Sequence, residues 1–181
     1  PDSLTSRLLA DVIGMRELKQ EFARIERRAQ AIMIERRAQA QDQHDRDREA
    51  PSLIILSGEP GVGKTTIARL LAKLLRQTGV SKTDKFHECK SSDCTSSNVK
   101  GSAEAMRKQL DDARDGVLFI NEADGFLSDD SKSKSFGKES IAELVVTLTE
   151  DPDKHLKKCP AVILAGYSEN MDKFLREANP G

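Results

Sequence analysis

The chain has 181 residues, 33% charged and 37% hydrophobic, with a formal net charge of −1. That length suits one α/β core rather than two full domains, and near-neutrality excludes a global field that would gather nucleic acid or anionic lipid. Aromatic residues make up only 4% and Trp is absent, which argues against a stacking platform for single-stranded nucleic acid.

No apolar run approaches the roughly 20 residues that span a bilayer. Pro1-Asp2-Ser3-Leu4 lacks the basic and apolar segments of a signal peptide. From Met15 to Ile34, apolar or small residues recur at Met15, Leu18, Phe22, Ile25, Ala29 and Ile32. The steps of three and four predict a helix with one apolar face. Within it Glu26–Ala31 (ERRAQA) recurs nine residues later at Glu35–Ala40. Nine residues turn a helix through about two and a half revolutions, so the copies face opposite sides and read as a solvated extension, not a heptad. Gln41 to Ala50 is almost wholly polar and precedes Pro51, the pattern of a mobile linker. The expected organisation is therefore a helical segment and charged linker over 1–50, then a core over 51–181.

Leu53–Leu56 (LIIL) is short, apolar and rich in β-branched residues, as in a strand buried on both faces. A helix from about Lys64 to Gln77 follows, ended by Gly79. Lys85–Lys90 reads as a second strand, Ser91–Asn98 as a polar loop and Ser102 to about Arg114 as a helix. After Gly116 comes another buried strand, Val117–Ile120 (VLFI). Gly125 to Gly137 reads as polar and mobile, and Lys138 to Glu150 as a helix with Ile141, Leu144, Val145 and Leu148 on one face. Ala161–Ala165 (AVILA) is a further buried strand, and Ser168 can cap a last helix running to about Glu177. Buried strands alternating with helices predict an α/β fold, a parallel sheet sandwiched between helices, with its ligand at the carboxyl ends of the strands. Cys89, Cys94 and Cys159 are few and odd in number, the usage of a reducing intracellular compartment, cytoplasmic or nuclear. His87, Cys89 and Cys94 lie close together, but a zinc site usually needs a fourth ligand and tighter pairing, so they read as strand and loop residues.

Two motifs carry chemistry. Gly58-Glu59-Pro60-Gly61-Val62-Gly63-Lys64-Thr65 matches G-x-x-x-x-G-K-[ST] in full, between a predicted strand and a predicted helix. Such glycines let backbone N–H groups turn inward around a phosphate, and the following helix adds positive potential. Lys64 would neutralise β- and γ-phosphate oxygens, and Thr65 would offer its hydroxyl to magnesium. The expected ligand is ATP or ADP with Mg²⁺, held by Glu59, Pro60, Gly61, Val62, Gly63, Lys64, Thr65 and Thr66. The second motif is Val117–Glu122 (VLFINE), four apolar residues and then Asn121-Glu122. Glu122 can act as a general base. Asn121 stands where P-loop ATPases place an aspartate, and its amide can serve the metal only weakly, through a bound water.

These segments resemble a family. Leu9–Met15 (LADVIGM), GEPGVGKTTIARLLAKLL, GVLFINEAD, FGKESIAELVVTLTE and VILAGYSENMDKFLREANPG together look like AAA+ ATPases, in the branch that holds CbbX and the stage V sporulation protein K. Type VII secretion ATPases belong to the same branch. The resemblance implies a P-loop NTPase fold, the AAA+ large subdomain without its C-terminal helical lid. It makes Gly58, Gly61, Gly63, Lys64 and Thr65 the Walker A motif and places Asn121 and Glu122 in Walker B. It puts Ile13 and Gly14 against adenine and a sensor-1 polar group at Tyr167 or Ser168. It also implies a hexameric ring, homo- or hetero-oligomeric, with an arginine finger from a neighbour, and ATP-driven remodelling of a protein partner. There are three departures. Asn121 replaces the usual aspartate, Ser91–Gly101 has no aromatic residue to grip polypeptide, and the last strand and lid do not follow. A nucleotide-binding module with weak hydrolysis is the alternative.

Overall fold

Residues 3–10, 16–38, 53–97, 99–127, 131–149, 159–167, 171 and 176 are described by a computed structural model. The elements run in the order α1 (Leu4–Leu8), α2 (Arg16–Ala38), β1 (Leu53–Ser57), α3 (Lys64–Gln77), β2 (Phe86–Lys90), α4 (Val99–Asp112), β3 (Val117–Asn121), α5 (Ser131–Thr149) and β4 (Ala161–Gly166). The four strands form one parallel sheet in the order β1-β4-β3-β2. β4 therefore slots between β1 and β3, pairing Leu53 with Val162 on one side and Val117 with Ala161 on the other.

Period-two alternation sends neighbouring residues of each strand to opposite layers. Val117 and Phe119 of β3, with Ile163 and Ala165 of β4, meet Ala68, Leu71, Leu74 and Leu75 of α3, and Leu9 and Phe22 join them. Leu118, Ile120, Val162 and Leu164 face Met106 and Leu110 of α4 and Ile141 and Leu144 of α5. Fully burying such a side chain is worth about 1.5–3 kcal/mol. Leu118, Phe119, Ile120 and Ile163 are each 0% exposed, so both layers are anchored on the central strands. α3 ends as expected: Thr78 N–H donates to the Leu74 carbonyl and Gly79 takes φ 85°.

Three expectations are corrected. Ser91–Asn98 is not a plain polar loop. Ser91–Cys94 forms a 3-10 turn, Cys94 is fully buried beside Cys89 (Sγ–Sγ 3.7 Å), and α4 opens at Val99. The hydrogen bond to Cys89, and then burial, pushes the Cys94 thiol far above its usual range, so it stays a neutral packing group. Gly125–Gly137 is not one polar stretch either. Ala123–Leu127 is a 3-10 turn that buries Phe126 and Leu127, and α5 starts at Ser131. Polar composition hid a helix whose Gly137 packs against the backbone of Phe126, an approach that leaves no room for a Cβ. Val145 is 44% exposed, so the buried face of α5 is carried by Ile141 and Leu144. The Gln41–Ala50 linker lies outside the described residues, as does most of the last helix capped by Ser168.

α2 contributes one feature beyond its apolar face. Glu26 is buried, and its carboxylate accepts hydrogen bonds from Leu4 N and Thr5 N (3.0 Å each), Thr5 Oγ1 (2.6 Å) and Gln30 Nε2 (3.2 Å). Ser3 Oγ accepts from Ser6 N. Acid and serine together satisfy the first N–H groups of α1.

Candidate functional site

β1 ends at Ser57, and the chain turns through Gly58–Gly63 into α3. Gly58 N–H donates to the Gly166 carbonyl (3.3 Å), which ties the turn to the end of β4. Gly61 (φ 77°) and Gly63 (φ 84°) occupy the left-handed region, and a Cβ at either would meet nothing within 4 Å. The loop thus curls around open space. Gly63 is the N-cap residue of α3 and makes no side-chain cap, which leaves the first N–H groups of the helix without the usual oxygen acceptor. Lys64 Nζ folds back onto the Gly58 and Glu59 carbonyls (2.7 and 2.9 Å) and lies 5.1 Å from the centre of the Tyr167 ring.

β3 brings the second motif to the same place, because a parallel sheet gathers its carboxyl ends along one edge. Asn121 Oδ1 accepts from Glu122 N (3.1 Å). Glu122 itself has φ 55°, a conformation costly for a residue with a side chain and concentrated at functional sites. Its Oε1 pairs with Lys90 Nζ at 3.2 Å, and its carbonyl accepts from Ser91 Oγ at 2.8 Å. Lys90 is the register partner of Asn121 at the end of β2.

These pieces enclose a cleft of about 320 Å³. It is lined by Pro60, Gly61, Gly63, Lys64 and Thr65 of the turn and α3, by Asn121, Glu122 and Asp124 at and after the end of β3, and by Gly166 and Tyr167 at the end of β4. The lining combines one cation, backbone N–H groups and a hydroxyl with two carboxylates. That set fits a polyphosphate and a hard divalent cation. Of the residues expected from the sequence, Glu59, Val62 and Thr66 are exposed and do not line the cleft, while Ile13, Gly14 and Ser168 lie outside the described residues. His87 Nε2 is 2.7 Å from Gln109 Oε1, and no group of three potential metal ligands occurs among the described residues. Sequence reasoning missed Asp124, Gly166 and Lys90. The signal for Lys90 was available: a charged residue closing a strand of a parallel sheet sits on the ligand edge.

The family model for "ATPase family associated with various cellular activities (AAA)" matches residues 54–179. The ESX-3 secretion system protein EccA3 of Mycolicibacterium smegmatis is 33% identical over 174 residues, covering 96% of this chain and 26% of its own. The ESX-1 secretion system protein EccA1 of Mycobacterium tuberculosis (strain H37Rv) is 37% identical over 129 residues, 71% of this chain and 22% of its own. The chain thus spans about a quarter of the length of these relatives. Among solved structures, the FIGL-1 AAA domain superposes with TM-score 0.56 at 22% identity, covering 93% of this chain and 51% of that one. A chain of the E. coli MS115-1 HORMA:CdnC:Trip13 complex gives 0.57 at 16%, covering 94% and 61%. No helix among the described residues is long and apolar enough to cross a membrane.

Proposed function

The chain belongs to the AAA ATPase family, and from that membership we propose that it binds ATP or ADP with magnesium and, within a longer protein, hydrolyses ATP to remodel a protein partner. The observation that carries this reading is the convergence of Lys64, the uncapped start of α3 and Glu122 on one cleft. Lys64 would leave the Gly58 and Glu59 carbonyls for β- and γ-phosphate oxygens, and the N–H groups of Gly61 to Thr66 would close around them. Thr65 would offer its hydroxyl to magnesium, which when bound neutralises charge on the phosphates. Glu122 would take the proton of the water that attacks the γ-phosphorus as the bond to the ADP oxygen breaks. Ile13 and Gly14 against adenine, and Tyr167 or Ser168 as the sensor, follow from the family resemblance.

A ring with an arginine supplied by a neighbour, and the closer placement beside CbbX and the stage V sporulation protein K, are parts of the same reading. The EccA relatives are named as secretion-system proteins, and we extend a comparable protein-handling role to this chain. Their bacterial origin favours the cytoplasm over the nucleus. One observation favours a second reading, a nucleotide-binding module with weak hydrolysis: Asn121 carries no charge, and its oxygen is engaged by Glu122 N–H. The test is magnesium-dependent hydrolysis by the full-length protein beside its N121D and E122Q variants, with nucleotide affinity measured in parallel. The enzyme reading expects N121D to raise turnover and E122Q to abolish it with ATP still bound. Silence of both would leave the binding module.

A further inference from the structure

Asn121 leaves the site short of a charge on the metal side, and the cleft holds a residue placed to supply it. We propose that Asp124, three positions further on, provides the carboxylate that faces the nucleotide's divalent cation; the inference rests on the nucleotide-binding reading above. Asn121 is neutral and its amide oxygen already accepts from Glu122 N at 3.1 Å, so it brings no charge to a cation and at most one further lone pair, a weak contact through water. Glu122 is engaged by Lys90 at 3.2 Å and is the residue needed to handle the water proton. Asp124 is the other carboxylate that lines the cleft, together with Lys64 and Thr65.

The backbone explains how it gets there. The left-handed φ of Glu122 turns the chain sharply at the end of β3, and Gly125 N–H closes the turn on the Glu122 carbonyl at 2.9 Å. Residue 124 therefore returns to the strand ends instead of running on. Its carboxylate lies against the last residue of β4, where a Cβ on Gly166 would come within 2.7 Å of Asp124 Oδ1. Gly166 is in turn the register partner of Ser57, the residue before the phosphate loop, and accepts from Gly58 N–H. The carboxylate is thus held on rigid strand ends beside the loop, as a metal-side group must be.

The test is the magnesium dependence of ADP binding by the full-length protein. Fluorescent ADP is titrated into wild type, Asp124→Asn and Asp124→Glu, once with magnesium and once with EDTA, with thermal melts confirming folding. The wild type is expected to bind more tightly with magnesium. Asp124→Asn should lose at least fivefold of that gain while its affinity in EDTA stays within about twofold of wild type, and Asp124→Glu should keep part of the gain. A full magnesium gain in Asp124→Asn overturns the proposal, as does an equal loss in both conditions, which would mark a structural role. No ADP binding by the wild type would instead remove the nucleotide-binding reading, and this proposal with it.

Discussion

Replacing Glu26 with Gln tests how the N-terminal segment is fastened to the nucleotide-binding layer. The carboxylate accepts four hydrogen bonds, two on each oxygen: Leu4 N and Gln30 Nε2 on Oε1, Thr5 N and Thr5 Oγ1 on Oε2. Glutamine keeps one oxygen and turns an NH₂ group toward the other pair. The Thr5 hydroxyl can rotate to accept, but Thr5 N–H cannot, and a stranded buried donor costs about 1–3 kcal/mol. The surviving bonds also lose their charge assistance, roughly 1 kcal/mol between them once water competition is counted. The sum, about 2–4 kcal/mol, is capped from above because α1 has only five residues and can detach. Detachment forfeits mainly Leu9, 2% exposed, worth about 1.5–3 kcal/mol. The expected loss in urea denaturation at pH 7 is therefore about 2–3 kcal/mol.

The pH dependence gives the sign. Burial alone raises the Glu26 carboxyl, but the hydrogen bonds from Thr5, Leu4 and Gln30 outweigh it, and the folded value lies below 4.5. A depressed carboxylate contributes stability that is present above about pH 4.5 and lost as pH falls through its folded value. The gap between wild type and E26Q should narrow below pH 4.5. A gap under about 0.5 kcal/mol at pH 7, or one that stays constant down to pH 3, would refute the reasoning. On the proposed placement of Ile13 and Gly14 against adenine, E26Q should also weaken ADP more than inorganic tripolyphosphate.

Lys64→Ala removes the cation of the phosphate loop and should weaken labelled ADP by about tenfold to a hundredfold, the worth of one charge-assisted contact; equal affinities would sink the site. Lys90→Ala frees Glu122 from an ion pair whose side chains are both more than half exposed. Such a pair is worth at most about 1 kcal/mol, so turnover of the full-length protein should rise by no more than about fivefold; a tenfold fall would mean that Lys90 acts on the substrate itself. Burial pushes the Cys159 thiol up to about 11, so iodoacetamide alkylation at this position should keep accelerating through pH 10. A plateau near pH 9 would contradict that environment.

The parallel sheet and the glycine turn between β1 and α3 were legible because each has a local signature. LIIL, VLFI and AVILA are uninterrupted apolar runs, and the loop is a fixed spacing of glycines ending in Lys-Thr. The start of α5 was not, because Ser131–Ser135 is polar and the helix owes its placement to a backbone approach at Gly137 that composition does not encode. The Ser91–Cys94 turn escaped for a similar reason. It is fixed by Ser91 reaching Glu122 and by Ser140 Oγ donating to the Cys94 carbonyl at 2.6 Å, both contacts between residues distant in sequence. Glu26 looked like one of many charges on a solvated helix, and only the position of α1 makes it a buried cap. In the site, Glu122 could be named from its strand-end position, whereas Asp124 depends on a left-handed turn that no residue type announces.

The placement of β4 bears on how the molecule is made. Among the described strands β1 pairs with β4 alone, and that partner begins at residue 161, more than 100 positions later. Closing so long a loop is entropically slow compared with local helix formation. A nascent chain that has emerged only through β3 carries the whole glycine loop yet has no neighbour to hold β1. Its phosphate cradle remains unformed, and two apolar strand edges stay open to mispairing. Arrival of β4 then joins β1 to β3 and ties down the glycine turn in one event, so the onset of nucleotide binding during synthesis should report the moment these strands meet.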